Sequence, residues 1–132
     1  MTLSLAATAF AGVLLLLGLF QVALAAGAPL GHLAWGGQHR VLPPPLRIGS
    51  LVSILLYALM AMVVLSKAAV VHIIPDGVAT IGTWAVSAYC LVGIAMNALS
   101  RSKPERIAMV PVATLLFLLS LPVALAGLPT VQ

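Results

Sequence analysis

The residues in this chain that could do chemistry are few and scattered. Its 132 residues hold two acids, three histidines, one cysteine and six Lys and Arg. The acids, Asp76 and Glu105, stand on either side of an apolar run long enough to place them on opposite faces of a membrane. Paired-carboxylate hydrolysis and a Ser-His-Asp relay therefore lack their carboxylates, and no serine lies in a nucleophile-elbow pattern. His72 and Asp76 form a lone acid–base couple, but Asp76 beside Gly77 reads better as the cap of a helix. Cys90 lies inside an apolar run and has no second cysteine for a disulfide or a thiolate zinc site. His32 and His39 are seven apart, a spacing that would align them on a helix, but Gly36-Gly37 interrupts it. With no carboxylate or thiolate nearby to complete a shell, no metal and no cofactor is expected.

The neutral polar residues are more regularly placed. Thr80, Thr83, Ser87, Cys90 and Asn97 recur at helical spacing along one stripe of an apolar segment. Such groups most simply make hydrogen bonds between membrane helices; the sharper reading has them line a narrow polar path through an oligomeric channel. No ionisable side chain lies in the middle of any apolar run, which argues against a proton-coupled exporter built around a membrane-embedded carboxylate.

These residues must be positioned by membrane helices. The chain is 63% hydrophobic and 6% charged, against about 25% charged in ordinary globular proteins, and its mean hydropathy is +1.24. Four apolar spans, at about 2–26, 48–66, 78–99 and 107–126, fill nearly the whole length as one transmembrane domain, each near the roughly 20 residues that a spanning helix needs. Pro43-Pro44-Pro45, Pro75-Asp76-Gly77 and Pro104 punctuate the starts of the last three, and Pro111 and Pro122 predict kinks in the fourth. Ser4, Thr8 and Gly12 make a stripe of small residues on the first span, suited to close packing. The fold class is an all-α, integral membrane four-helix bundle.

Arg40, Arg47, Arg101, Lys103 and Arg106 fall in the first and third loops, whereas the tails and second loop carry only Lys67. By the positive-inside rule, loops one and three face the cytoplasm and both termini lie outside, the expected location being a bacterial cytoplasmic membrane. The net charge of +4 then serves anionic lipid headgroups rather than nucleic acid, because the charges are spread over loops instead of clustered. Pro45-Leu46-Arg47-Ile48 is echoed by Pro104-Glu105-Arg106-Ile107, as duplicated hairpins would show, although Pro followed by Arg is also a generic interfacial helix start.

The first loop, 27–47, concentrates the remaining hydrogen-bonding chemistry: His32, Trp35, Gly36, Gly37, Gln38, His39 and Arg40. In one reading its glycines let backbone amides approach an anionic or polar ligand. In the plainer one Trp35 sits in the interfacial aromatic belt, His32 and Arg40 meet headgroups, and the glycines turn the chain. A third makes it a docking surface for a protein. Arg101 with Glu105, or Glu105 with Arg106, is expected to pin the third loop to the first.

The runs Gly27-Ala28-Pro29-Leu30-Gly31, Trp35-Gly36-Gly37-Gln38-His39 and Val41-Leu42-Pro43, with Arg47, Asn97 and Ser100-Arg101-Ser102-Lys103-Pro104-Glu105-Arg106, resemble a group of small four-span bacterial membrane proteins. The resemblance covers nearly the whole chain. It implies a four-helix membrane fold and carries no activity with it. The first span lacks the glutamate of the small multidrug exporters, and the signature of the dual-topology fluoride channels is missing. The expected function is a non-enzymatic binding or accessory component of a membrane complex, with a protein partner or a second copy of itself. A small oligomeric channel or transporter is the alternative, and a membrane enzyme the third.

Overall fold

A computed structural model describes residues 1–127. Four α-helices run over Leu3–Ala25 (α1), Pro44–Lys67 (α2), Asp76–Ala98 (α3) and Lys103–Leu125 (α4), with two 3₁₀ turns, Gly31–Leu33 and Trp35–Gly37, in the first loop. The described residues contain no strand. Each helix has 23 or 24 residues and is therefore about 35 Å long, enough to cross a hydrocarbon layer of about 30 Å. The protein is an integral membrane protein built as a four-helix bundle.

Local sequence explains where the helices begin. Thr2 Oγ1 accepts the Leu5 N–H at 3.1 Å and Ser102 Oγ accepts the Glu105 N–H at 3.3 Å, so α1 and α4 open on hydroxyl caps. The second, third and fourth helices begin two to four residues before the expected 48, 78 and 107. Pro44-Pro45 and Pro104 belong to the first turns, where a missing N–H is no loss and a fixed φ favours the helix. The first loop is accordingly shorter, 26–43. Asp76 is not the cap of α3: Pro75 takes that position, and Asp76 opens the first turn, where its charge complements the helix dipole. α4 stays continuous across Pro111 and Pro122.

The helices form a ring in which α1 packs on α2 and α3 on α4 most extensively, while α2–α3 and α1–α4 contacts close it. Phe10, Leu14, Val64, Leu116 and Val123 fill the core. Gly82 lets α3 approach α2, since a Cβ there would stand 2.8 Å from Val63 Cγ1. Leu15, Leu16, Leu55, Ile81, Val92 and Leu118 face outward, as lipid contact requires. The Ser4-Thr8-Gly12 stripe also faces outward, away from the other helices of this chain.

The hairpin ends are tied by side chains. Arg47 Nε donates to Leu42 O at 2.8 Å, and Arg106 Nη1 donates to Ser100 O at 2.6 Å, so the two arginines of the sequence echo fold back on their preceding loops alike. At the opposite end Lys67 Nζ donates to Ala126 O at 2.7 Å, closing the last turn of α4. The tail beyond it, expected on the side of the amino terminus, lies from 128 onward outside the described residues.

Candidate functional site

The first loop folds over the end of the bundle and is fastened to α4. Trp35, Gly36 and Gly37 all have positive φ, at 52°, 80° and 73°. This run of left-handed backbone is tolerable because two of the three lack a Cβ. It aims the Gly36 N–H at Glu105 Oε2, 3.0 Å away, and the same oxygen accepts the Ser100 hydroxyl at 2.6 Å. Ser102 Oγ donates to His32 O at 2.5 Å. Close packing reinforces these bonds: a Cβ on Gly37 would overlap the Ser102 side chain, and one on Gly31 would overlap the His39 carbonyl oxygen. Trp35 lies against Gly49 of α2 and donates from Nε1 to Ser50 Oγ at 3.3 Å.

Glu105 therefore joins the third loop to the first, but its partner is a backbone amide and not Arg101 or Arg106. Arg106 turns to Ser100 O, and Arg101 is exposed. The glycines do bring an amide to an anion, and that anion is the chain's own carboxylate. His32, Trp35, Gly36, Gly37 and Glu105 thus meet in one latch. Gln38, His39 and Arg40 stand exposed beside it, as do Arg101 and Lys103. Ser100 and Ser102, which do much of the fastening, were not among the expected site residues; their spacing before Glu105 is the signal that marks a capped helix start.

The stripe on α3 divides by contact. Thr80 Oγ1 donates to Asp76 O at 2.9 Å, Thr83 Oγ1 to Ala79 O at 2.8 Å, and Asn97 Nδ2 to Gly93 O at 2.8 Å, all within the helix. Ser87 Oγ meets Ser120 Oγ of α4 at 2.8 Å, and Cys90 is buried in the core. The interhelical role thus belongs to Ser87, with Ser120 as a partner whose position in the apolar fourth span did not announce it.

Beneath the latch, residues of all four helices line a partly open cavity of about 180 Å³. Leu33, Ala34 and Trp35 of the first loop line it, together with Gln21 of α1, Tyr57 of α2, Tyr89, Cys90 and Asn97 of α3, and Glu105 of α4. Gln21 Nε2 donates to Tyr57 Oη at 3.3 Å, while Gln21 Oε1 is buried with no hydrogen-bond partner. Exchanging the amide oxygen and nitrogen lets Tyr57 donate instead and leaves the NH₂ group orphaned, so one polar atom of this amide is unsatisfied in either orientation. A buried polar group without a partner costs about 1–3 kcal/mol, which makes Gln21 the anomaly of the bundle. Gln21 and Tyr57 are neutral residues in apolar spans, and nothing in their spacing shows that they meet across 36 positions.

Fold and site together define the class: a four-helix integral membrane protein with a folded, latched loop over a partly open cavity. No family model, curated protein or solved structure matches the chain.

Proposed function

We propose that the protein is a non-enzymatic binding component of a bacterial cytoplasmic membrane complex, with the latched first loop and the third loop as its cytoplasmic working face. The observation that carries this reading is the latch. Holding Gly36 and His32 against α4 prepays the ordering of an 18-residue loop, a cost that otherwise falls on association. The latch consumes the only acid on that face and leaves Arg40, Arg101 and Lys103 exposed beside His32 and His39. An ordered basic platform suits an acidic segment of a larger membrane protein, with anionic headgroups around its rim.

The alternative of an oligomeric channel along α3 has less support, because Thr80 and Thr83 donate their hydroxyls and Asn97 one amide proton to their own helix, and the Ser87 and Ser120 hydroxyls pair with each other. The test is native mass spectrometry of the chain extracted gently from its own membrane. The proposal expects a stoichiometric larger chain that is lost with Arg40→Glu/Arg101→Glu. A chain that emerges alone, or only with copies of itself, overturns it.

A further inference from the structure

The face of α3 that meets α2 changes character along its length. Gly82 and Gly93 are eleven residues apart, about three turns, and so lie on one face of the helix. A Cβ on Gly82 would stand 2.8 Å from Val63 Cγ1 of α2, whereas one on Gly93 would meet nothing within 4 Å. α2 and α3 therefore touch near the loop 68–75 that joins them and part toward the first loop. The space left between them belongs to the cavity, which Gly93 lines with Tyr57 of α2 and Tyr89 of α3. Tyr89 is 51% exposed and stands near the middle of α3, so the open side lies at a depth where the surroundings are hydrocarbon.

The cleft is graded along its length as a bilayer is. Leu14, Met60 and Leu116 make an apolar inner wall, and Asn97 stands at the end nearest the first loop. Eight residues separate Tyr89 from Asn97, about 12 Å along the helix, which is most of one leaflet of a hydrocarbon layer about 30 Å thick. Asn97 gives one amide proton to Gly93 O and keeps another. Glu105, the one acid in the lining, is already engaged by the Gly36 N–H and the Ser100 hydroxyl. Arg101, three residues past the end of α3, is exposed. A second helix, about 10 Å across, does not enter a space of about 180 Å³. A water-soluble solute would have to arrive through hydrocarbon. A phospholipid of the adjoining leaflet meets each level: an acyl chain in the apolar cleft, an ester carbonyl for the remaining Asn97 proton, and a phosphate for Arg101. We propose that the cleft between α2 and α3 seats one acyl chain of a bound phospholipid, drawn from the leaflet on the first-loop side.

The test reconstitutes the full chain in vesicles of dioleoyl phosphatidylglycerol and phosphatidylcholine, strips it stepwise in mild detergent, and counts the lipids that remain by native mass spectrometry. The expected result is one phospholipid per chain that persists after the others are gone. Gly93→Leu places a side chain in the empty cleft and lowers the retained fraction at least tenfold. Leucine there also replaces a glycine inside a helix, so the unfolding temperature of the stripped chain stays level or rises. Gly12→Leu is the control: its Cβ likewise meets nothing within 4 Å, but it lies on the outward face of α1, so the last lipid stays. If Gly93→Leu does not fold, Gly93→Ala puts one methyl in the same space and weakens retention by a smaller factor. No persistent lipid, retention unchanged by filling the cleft, or equal loss in Gly12→Leu overturns the proposal, the last two marking lipid held only on the outer surface. A chain that keeps the lipid yet captures no partner protein would sink the proposed docking role and leave this one standing.

Discussion

Removing the Glu105 carboxylate isolates the latch. Glu105→Ala deletes two hydrogen bonds, but only the one from Gly36 N–H ties the first loop to α4; the Ser100 bond ties the third loop to the start of α4. A hydrogen bond to a charged group contributes about 1.5–3 kcal/mol, and every 1.4 kcal/mol is a factor of ten. Local opening of the first loop is therefore expected to become roughly 10- to 150-fold more frequent. The Ser102–His32 bond joins neutral partners and contributes about 0.5–1.5 kcal/mol, so Ser102→Ala is expected to raise opening by the smaller factor of roughly 2–10. Amide hydrogen exchange followed by mass spectrometry reads both effects on peptides covering 30–40, with α1 to α4 as internal reference. Exchange in the loop that is unchanged in Glu105→Ala, or that rises equally across the helices, would refute the latch as the element that orders this face.

Further outcomes follow from the packing and the orientation. Gly82→Ala forces a methyl against Val63 and is expected to destabilise the bundle by about 1–3 kcal/mol, with Val63→Ala restoring part of the loss in detergent thermal unfolding; no rescue would mean that the α2–α3 approach is wrong. A double-mutant cycle on Ser87→Ala and Ser120→Ala should give a coupling near 0.6 kcal/mol, the average for membrane hydrogen bonds, whereas a value near zero would deny the contact. In a Cys90→Ala background, Arg40→Cys is expected to react with an impermeant maleimide only from the cytoplasmic side and His72→Cys only from outside, and the reverse pattern would invert the orientation.

The spans were legible because about 20 apolar residues in a row have few other fates, and hydroxyl or proline starts mark their ends. Their first turns are harder to see, because Pro44, Pro45 and Pro104 look like breaks although proline is at home in a first turn. The latch was half legible. Glu105 stood out as the one acid near the first loop, but its attraction to a backbone amide depends on the positive φ of Trp35, Gly36 and Gly37, which residue spacing does not express. The cavity was not legible. The helices are apolar on nearly every side, so periodicity does not reveal which face is inner, and the pairing of Gln21 with Tyr57 depends on the ring order of the helices.

The central claim, that the latched face holds a protein partner, is tested most directly by placing a photoreactive amino acid at Gln38 and irradiating intact cells. The account predicts one discrete heterologous adduct, lost when Arg40 and Arg101 are changed to Glu and lost again when Glu105→Ala frees the loop. Absence of any adduct, an adduct only with a second copy of the chain, or one that survives both changes would contradict it.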